Sequence, residues 1–455
     1  MKIALIGGGG ARTPAAVYAI SRRHREVSVE ELVLYDINLE RQRLMADIAE
    51  RILQQVGHLF RVKVATSPAE AIEGASFVIT TLRVGGEAAR AQDERIALQH
   101  GCIGQETTGP AGYSFALRTV PVLVEYAELI GHLAPDAWLI NFTNPAGLVA
   151  QGLHGRTSVQ VVGVCDSPHS LAQAIARATG LPNQELRWHY IGLNHLGWVT
   201  SVRQGDRELL PALVVDEAAL TRLLEDDLIP VELVRHLGLI PNEYLYYYYF
   251  QQRALAQQQQ AKQTRGEFLR RLDQELSVRL SQLESQDVEG RLAAFAGYLH
   301  RREETYLATE RTRLRHRPLL SPLETILASG QGYIGIALDL ITGLHSHKPR
   351  SIVLNLPTQG VIPWLADDDV IETTCEVSTA GLRPLLGPEL PLECRALVQT
   401  VKAYERLTVE AALSGSRREA IRALTHHPLV GSYERAAQLV AAYVEVHRAF
   451  LPRFH

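Results

Sequence analysis

The stretch KIALIGGGGARTPA, residues 2–15, constrains the fold of this chain more than any other. An apolar, β-branched run leads straight into four glycines, and a proline two residues into the next segment suits the first turn of a helix. A strand, a glycine turn and a helix in that order let backbone amides close on a pyrophosphate, where the helix N-terminus adds partial positive charge. Gly7, Gly8, Gly9 and Gly10 are the candidate phosphate cradle. Asp36 closes the next apolar run, LVLYD, 29 residues after Gly7. A carboxylate there accepts hydrogen bonds from both hydroxyls of an adenosine ribose, which favours NAD over its 2′-phosphorylated form. Arg12 stands where the G-x-G-x-x-G pattern has its third glycine, so the motif rests on its strand–turn–helix context; Arg12 faces either a phosphate or solvent.

The rest of the first third repeats the alternation. ELVLYD, RVKVATS, SFVITTL, AWLINFT and VQVVGVC read as strands, with helical patterns such as NLERQRLMADIAERILQQV between them. Strand–helix alternation of this kind predicts a Rossmann-type, doubly wound parallel sheet whose ligands sit beyond the carboxyl ends of its strands. After Pro168 the pattern changes. LRWHYIGLNHLGWVTSVRQGDREL reads as an antiparallel hairpin, and long helical stretches follow, among them RGEFLRRLDQELSVRLSQLE, PLETILASGQGYIGIALDLITG and RALVQTVKAYERLTVEAALSG. The expected organisation is an NAD-binding domain over residues 1–166 and an α+β catalytic domain over 167–455.

Composition narrows the class. The 46 Lys and Arg against 50 Asp and Glu leave a net charge of −4, which gives no reason to expect nucleic acid or an anionic membrane as partner. Four cysteines, Cys102, Cys165, Cys375 and Cys394, lie far apart and form no CxxC pair, which fits a reducing cytoplasm. The apolar run after Lys2 is too short for a signal-peptide core, and no apolar segment reaches the ~18 residues a membrane span needs.

Cys165 and Asp166 sit together at the end of a β-branched run, before a proline. On the residues alone, Cys165 suits a buried, apolar-like position and Asp166 an N-cap. His195 in GLNHLGW suits a hydrogen-bonded core or surface position. NEYLYYYYF crowds five tyrosines into one segment, most of them for packing.

The ordered series TLRVGGEAARAQDE, GQETTGPAG, INFTNPAG, GVCDSP, GLNHLGW and the C-terminal YERLTVEAALSG and HHPLV resembles glycoside hydrolase family 4, the NAD- and metal-dependent glycosidases. The likeness spans nearly the whole chain and is nearest to the 6-phospho-β-glucosidase branch. It implies a second domain like the C-terminal domain of lactate and malate dehydrogenases. It implies a divalent cation, manganese, on Cys165 and His195. Tyr244 is then the base that removes the proton from sugar carbon 2, and Asp166 the acid that assists the leaving group. Arg90, Glu106, Asn144, Asn194 and Arg265 hold the sugar and its 6-phosphate. The family departs from the usual pair of carboxylates: the sugar is oxidised at carbon 3, deprotonated at carbon 2, loses its aglycone, takes up water and is reduced again, with no net redox change.

The expected substrate is a phosphorylated disaccharide or an aryl or alkyl glycoside, and the expected assembly a cytoplasmic homodimer or homotetramer. Asp166 is the residue of α-acting members, whereas the glycine- and arginine-rich motifs match the β branch, so the anomer stays open. Three rivals remain: a family member acting on α-linked or unphosphorylated glycosides, an NAD-dependent dehydrogenase of a small hydroxy acid, and a non-catalytic NAD- or sugar-phosphate-binding regulator.

Overall fold

The computed structural model describes residues 1–224, 228–284, 287–311, 320–330 and 332–454. Six strands open the chain: β1 (Lys2–Ile6), β2 (Glu31–Tyr35), β3 (Arg61–Val64), β4 (Phe77–Thr80), β5 (Trp138–Asn141) and β6 (Gln160–Gly163). They pair in parallel in the order β3-β2-β1-β4-β5-β6, the doubly wound arrangement expected from the alternation. β1 and β4 are almost wholly buried because helices cover both faces, and their sequences read as continuous apolar runs for that reason.

The second half extends the same sheet rather than building its own. The hairpin β7 (Leu186–Leu193) and β8 (Leu196–Gln204) forms as expected, with the short β9 (Arg207–Glu208) and β10 (Ile240–Pro241) on β8. Three strands were not legible in the sequence: β11 (Arg350–Pro357), β12 (Val370–Ser378) and β13 (Gly381–Pro384). Their buried positions include Asn355, Glu372, Thr373 and Thr374, which break the apolar run that marks an interior strand. β11 pairs with β6 through Asn355 and Gly163, and β12 lies between β11 and β7. The stretch PLETILASGQGYIGIALDLITG, expected as one helical run, holds the helices Pro322–Gly330 and Tyr333–His345 among the described residues.

Helices of the second half also pack back onto the glycine-loop region. Ala15, Met45, Ile48 and Ile52 share one buried cluster with Leu269, Leu272, Leu276, Phe295 and Leu299. Arg41 crosses the same boundary: its Nε donates to the Gly9 carbonyl at 2.8 Å, and its guanidinium pairs with Asp273 at 3.2 Å. Among the described residues no helix is long and apolar enough to cross a membrane. All four cysteines are buried and free.

Candidate active site

The glycine loop is built before any ligand arrives. Gly7 has φ +97°, and its amide and that of Gly8 donate to the Tyr35 carbonyl at 2.8 and 2.9 Å. A Cβ at Gly7 would stand 2.8 Å from the Thr81 backbone, so only glycine admits this approach. The Gly9 amide donates to Asp36 Oδ2 at 2.9 Å, which ties the candidate ribose carboxylate to the loop. A preformed turn, a helix start at Thr13 and a strand-end carboxylate suit a dinucleotide.

Cys165 follows β6 by two residues, and His195 ends the two-residue turn between β7 and β8. The structure sets Cys165 Sγ 3.4 Å from His195 Nε2. For comparison, zinc bound at about 2.3 Å to sulfur and about 2.0 Å to nitrogen leaves those atoms roughly 3.1–3.5 Å apart, so the two side chains are close enough to share a cation. The tautomer fits too. The Thr107 hydroxyl donates to Gln105 Oε1, so it accepts the Nδ1 proton of His195 at 2.6 Å and leaves the Nε2 lone pair turned to the thiol. Burial lowers His195 to about 3, so its ring is neutral at working pH. Burial, with Glu372 and Asp166 nearby, pushes the Cys165 thiol up, the reverse of what a bound cation does to a thiol. Among the described residues no three His, Cys, Asp or Glu side chains converge on one point, so a cation on this pair takes the remainder of its ligands from elsewhere.

Of the tyrosine segment, Tyr244 is the one stacked on His195. Tyr244 lies against His195 with ring centroids 3.7 Å apart and 4° between planes, and its hydroxyl meets that of Tyr306 at 2.6 Å. Its neighbours have other partners: Tyr246 donates to Gln257, Tyr247 to Glu310, and Tyr248 stacks on His427. Burial raises the Tyr244 phenol well above the ordinary range. Asp166 occupies the N-cap position of the helix Ser167–Thr179, yet its side chain caps nothing. It turns into a cavity instead, where burial raises its carboxyl and Arg12 opposes the rise. Arg12 lies 3.4 Å over the Tyr333 ring rather than in solvent.

That cavity, ≈ 730 Å³, brings most of the expected residues together. Arg12, Arg90, Glu106 and Asn144 line it from the first half, and Asp166, His195, Tyr244 and Arg265 line it further along the chain. Cys165 is behind His195. Asn194 is not part of the lining; its side-chain amide donates to Glu372 at 2.9 Å. Gly7 to Gly10 and Asp36 also lie outside the lining.

One end of the cavity is a charge cluster. On the helix Gly86–Gln99, Arg90 meets Glu94 at 2.7 Å and Glu106 at 2.9 Å, and Arg83 also pairs with Glu106. Burial works against the Glu106 charge, but Arg83 and Arg90 hold its carboxyl below the carboxylate range. Arg265 reaches this cluster because Thr264 and Glu267 form a capping box that starts the helix Arg265–Ser281 there. Gly266 makes room for the approach: a Cβ on it would stand 2.9 Å from the Ala91 nitrogen. Among the described residues Arg265 pairs with no carboxylate and donates to Thr305 Oγ1 and the Arg302 carbonyl. Burial, Arg302 and Arg90 lower it to about 10. Arg83, Arg302, Thr107 and Tyr306 were not singled out in the sequence, where nothing local sets them apart from surface residues of the same type.

Two family models match the chain: Family 4 glycosyl hydrolase over residues 2–181, and Family 4 glycosyl hydrolase C-terminal domain over 190–430. A probable 6-phospho-beta-glucosidase of Bacillus subtilis strain 168 is 31% identical, covering 100% of this chain and 98% of its own length. A phospho-alpha-glucosidase of Clostridium acetobutylicum is 25% identical over 100% of this chain and 99% of its own. The structure of the Thermotoga maritima 6-phospho-beta glucosidase with manganese, NAD+ and glucose-6-phosphate superposes with a TM-score of 0.81 at 27% identity, covering 99% of both chains. A lactate dehydrogenase from a deep-sea metagenome shares the fold alone, at 13% identity and a TM-score of 0.54 over 90% of this chain and 98% of its own. With both halves matched in order, the chain belongs to family 4 of the glycosyl hydrolases and is a glycoside hydrolase.

Proposed function

We propose that this enzyme hydrolyses 6-phospho-β-glucosides, with NAD and a divalent cation, Mn(II), as required groups. The observation that carries the reading is one cavity lined by His195, with Cys165 in contact with its ring from behind, and, at its charged end, by a guanidinium with no carboxylate partner among the described residues. A doubly charged phosphate would give Arg265 the anionic partner it lacks among the described residues, and a guanidinium fork meets it with charge-assisted bonds. The relatives named for 6-phospho-glucosides, and the neighbour containing manganese, NAD+ and glucose-6-phosphate, support the same substrate and cofactors.

When bound, NAD supplies a hydride acceptor and donor, and the cation a Lewis acid for sugar oxygens. The chain's own residues do the remainder. Gly7 to Gly10 and Asp36 seat the dinucleotide, and Cys165 and His195 seat the cation. Arg90, Glu106 and Asn144 orient the sugar by its hydroxyls, and Arg265 fixes the phosphate end. Tyr244 stands beside the His195 ring and takes the proton from sugar carbon 2; a buried phenol gives up its proton only when positive charge is placed near it. The Tyr306 hydroxyl then stabilises the phenolate oxygen by hydrogen bonding. Asp166, whose carboxyl burial shifts towards the protonated form, gives its proton to the leaving oxygen.

A second reading, the α-linked 6-phospho-glucoside, is favoured by one observation: Asp166 faces the cavity as an acid rather than capping its helix. Release of p-nitrophenol from α- and β-linked, phosphorylated and plain glucosides, with and without NAD and Mn(II), decides between them. We expect the β-linked 6-phosphate to be fastest, with loss of turnover when either NAD or Mn(II) is omitted. No release from any substrate refutes the hydrolase reading of this site, and release independent of NAD refutes the oxidation route.

A further inference from the structure

Glu372 lies on the central strand β12, only 1% exposed, and the chemistry above does not use it. Burial pushes its carboxyl up to about 7, while Asn194, Asn355 and Tyr190 pull the other way by hydrogen bonding. An apolar residue would fill this strand position at lower cost, so a carboxyl here needs a reason. Its hydrogen bonds give one. Oε1 accepts from Asn194 Nδ2 and from Asn355 Nδ2, both at 2.9 Å, and Oε2 accepts from the Tyr190 hydroxyl at 3.2 Å.

Those partners lead to the two candidate cation ligands. Asn194 precedes His195 in the turn closed by the Leu193–Leu196 pair. His195 has φ +63°, a left-handed backbone that is unfavourable for a non-glycine residue and persists only where neighbours hold it. Asn355 is paired in register with Gly163, two residues before Cys165, and a Cβ on Gly163 would stand 2.8 Å from the Asn355 Cβ. One carboxylate oxygen thus grips the turn that carries His195 and the strand pair that delivers Cys165.

We propose that Glu372 is a positioning residue that holds Cys165 and His195 in the relative register a shared cation requires. The proposal rests on reading those two residues as cation ligands. Partners that orient ligands from behind are worth roughly 10- to 100-fold in metal affinity.

The test is Mn(II) binding to the full-length protein at saturating NAD, read from the electron paramagnetic resonance of free Mn(II), alongside NAD affinity and thermal midpoint. Glu372→Leu is expected to weaken Mn(II) roughly 10- to 100-fold with NAD affinity unchanged. Glu372→Gln, whose carboxamide oxygen still accepts from both asparagines, is expected to recover most of the loss. Glu372→Leu binding Mn(II) like wild type overturns the proposal, as does Glu372→Gln failing as badly as Glu372→Leu. If Glu372→Leu does not fold, Asn194→Ala carries the test: a loss of about tenfold or more supports the brace, and unchanged affinity overturns it. Wild-type protein that binds no Mn(II) overturns the ligand reading itself, an outcome visible before any variant is made.

Discussion

The Tyr244 phenol lies flat on the His195 imidazole, 3.7 Å between ring centroids and 4° from parallel. The proposed base for sugar carbon 2 and a candidate cation ligand are therefore one packed unit. Tyr244→Phe keeps the stack and removes only the hydroxyl. It should lower kcat by roughly 10²–10⁴-fold with Mn(II) and NAD affinity retained. Hydrogen–deuterium exchange at carbon 2 of bound product should fall in parallel; exchange at the wild-type rate assigns the base elsewhere.

Cys165→Ser replaces a thiol 3.4 Å from His195 Nε2 with a shorter, harder donor. Mn(II) affinity should fall while NAD binding, which depends on the glycine loop, holds. Equilibrium dialysis with Mn(II) and a fluorescence titration with NAD separate the two, and undiminished Mn(II) binding would remove the thiol from the site.

Arg265→Met removes a half-buried cation that has no carboxylate partner among the described residues and is already lowered to about 10. KM for a 6-phosphoglucoside should rise roughly 10- to 100-fold, the worth of a hydrogen-bonded charge pair. The thermal midpoint of the ligand-free protein should hold or rise, since an unpaired buried charge is gone. A drop in stability with KM unchanged would make Arg265 structural.

His427 predicts an acid limit. It is 1% exposed, accepts from the Leu429 amide through Nδ1, and burial lowers it to about 3 from 6.5. A depressed pKa means the unfolded chain binds the proton first. Stability contributed by the neutral ring is complete above about pH 6.5 and falls towards pH 3, by up to about 1.4 kcal/mol per pH unit. Denaturant midpoints measured from pH 7 to pH 4 should fall less steeply in His427→Gln; equal slopes would assign the acid loss to other groups.

The parallel half of the sheet was legible because its strands are apolar throughout and separated by amphipathic helices. In the antiparallel half the β7–β8 hairpin was legible but β11 and β12 were not, because Asn355 and Glu372 occupy interior positions where a reader of periodicity expects valine. The site divides the same way. The glycine loop and Asp36 announce themselves by spacing. Cys165 and His195, 30 residues apart, were singled out through resemblance, since the end of β6 and the β7–β8 turn meet only in three dimensions. Thr107 sets the His195 tautomer and is one residue from Glu106, but a threonine among threonines carries no mark of that task.

The sheet passes from β6 to β11 without an edge, and Arg41 ties the Gly9 carbonyl to Asp273. A chain cut after Asp166 would leave β6 bare along one side and the Ala15–Met45–Ile48–Ile52 surface wet. Such a fragment invites self-association through its open strand. Recombining halves between relatives would thus require matched β6–β11 seams as well as matched loops, and the two stretches recognised as separate sequence units behave in the molecule as a single piece.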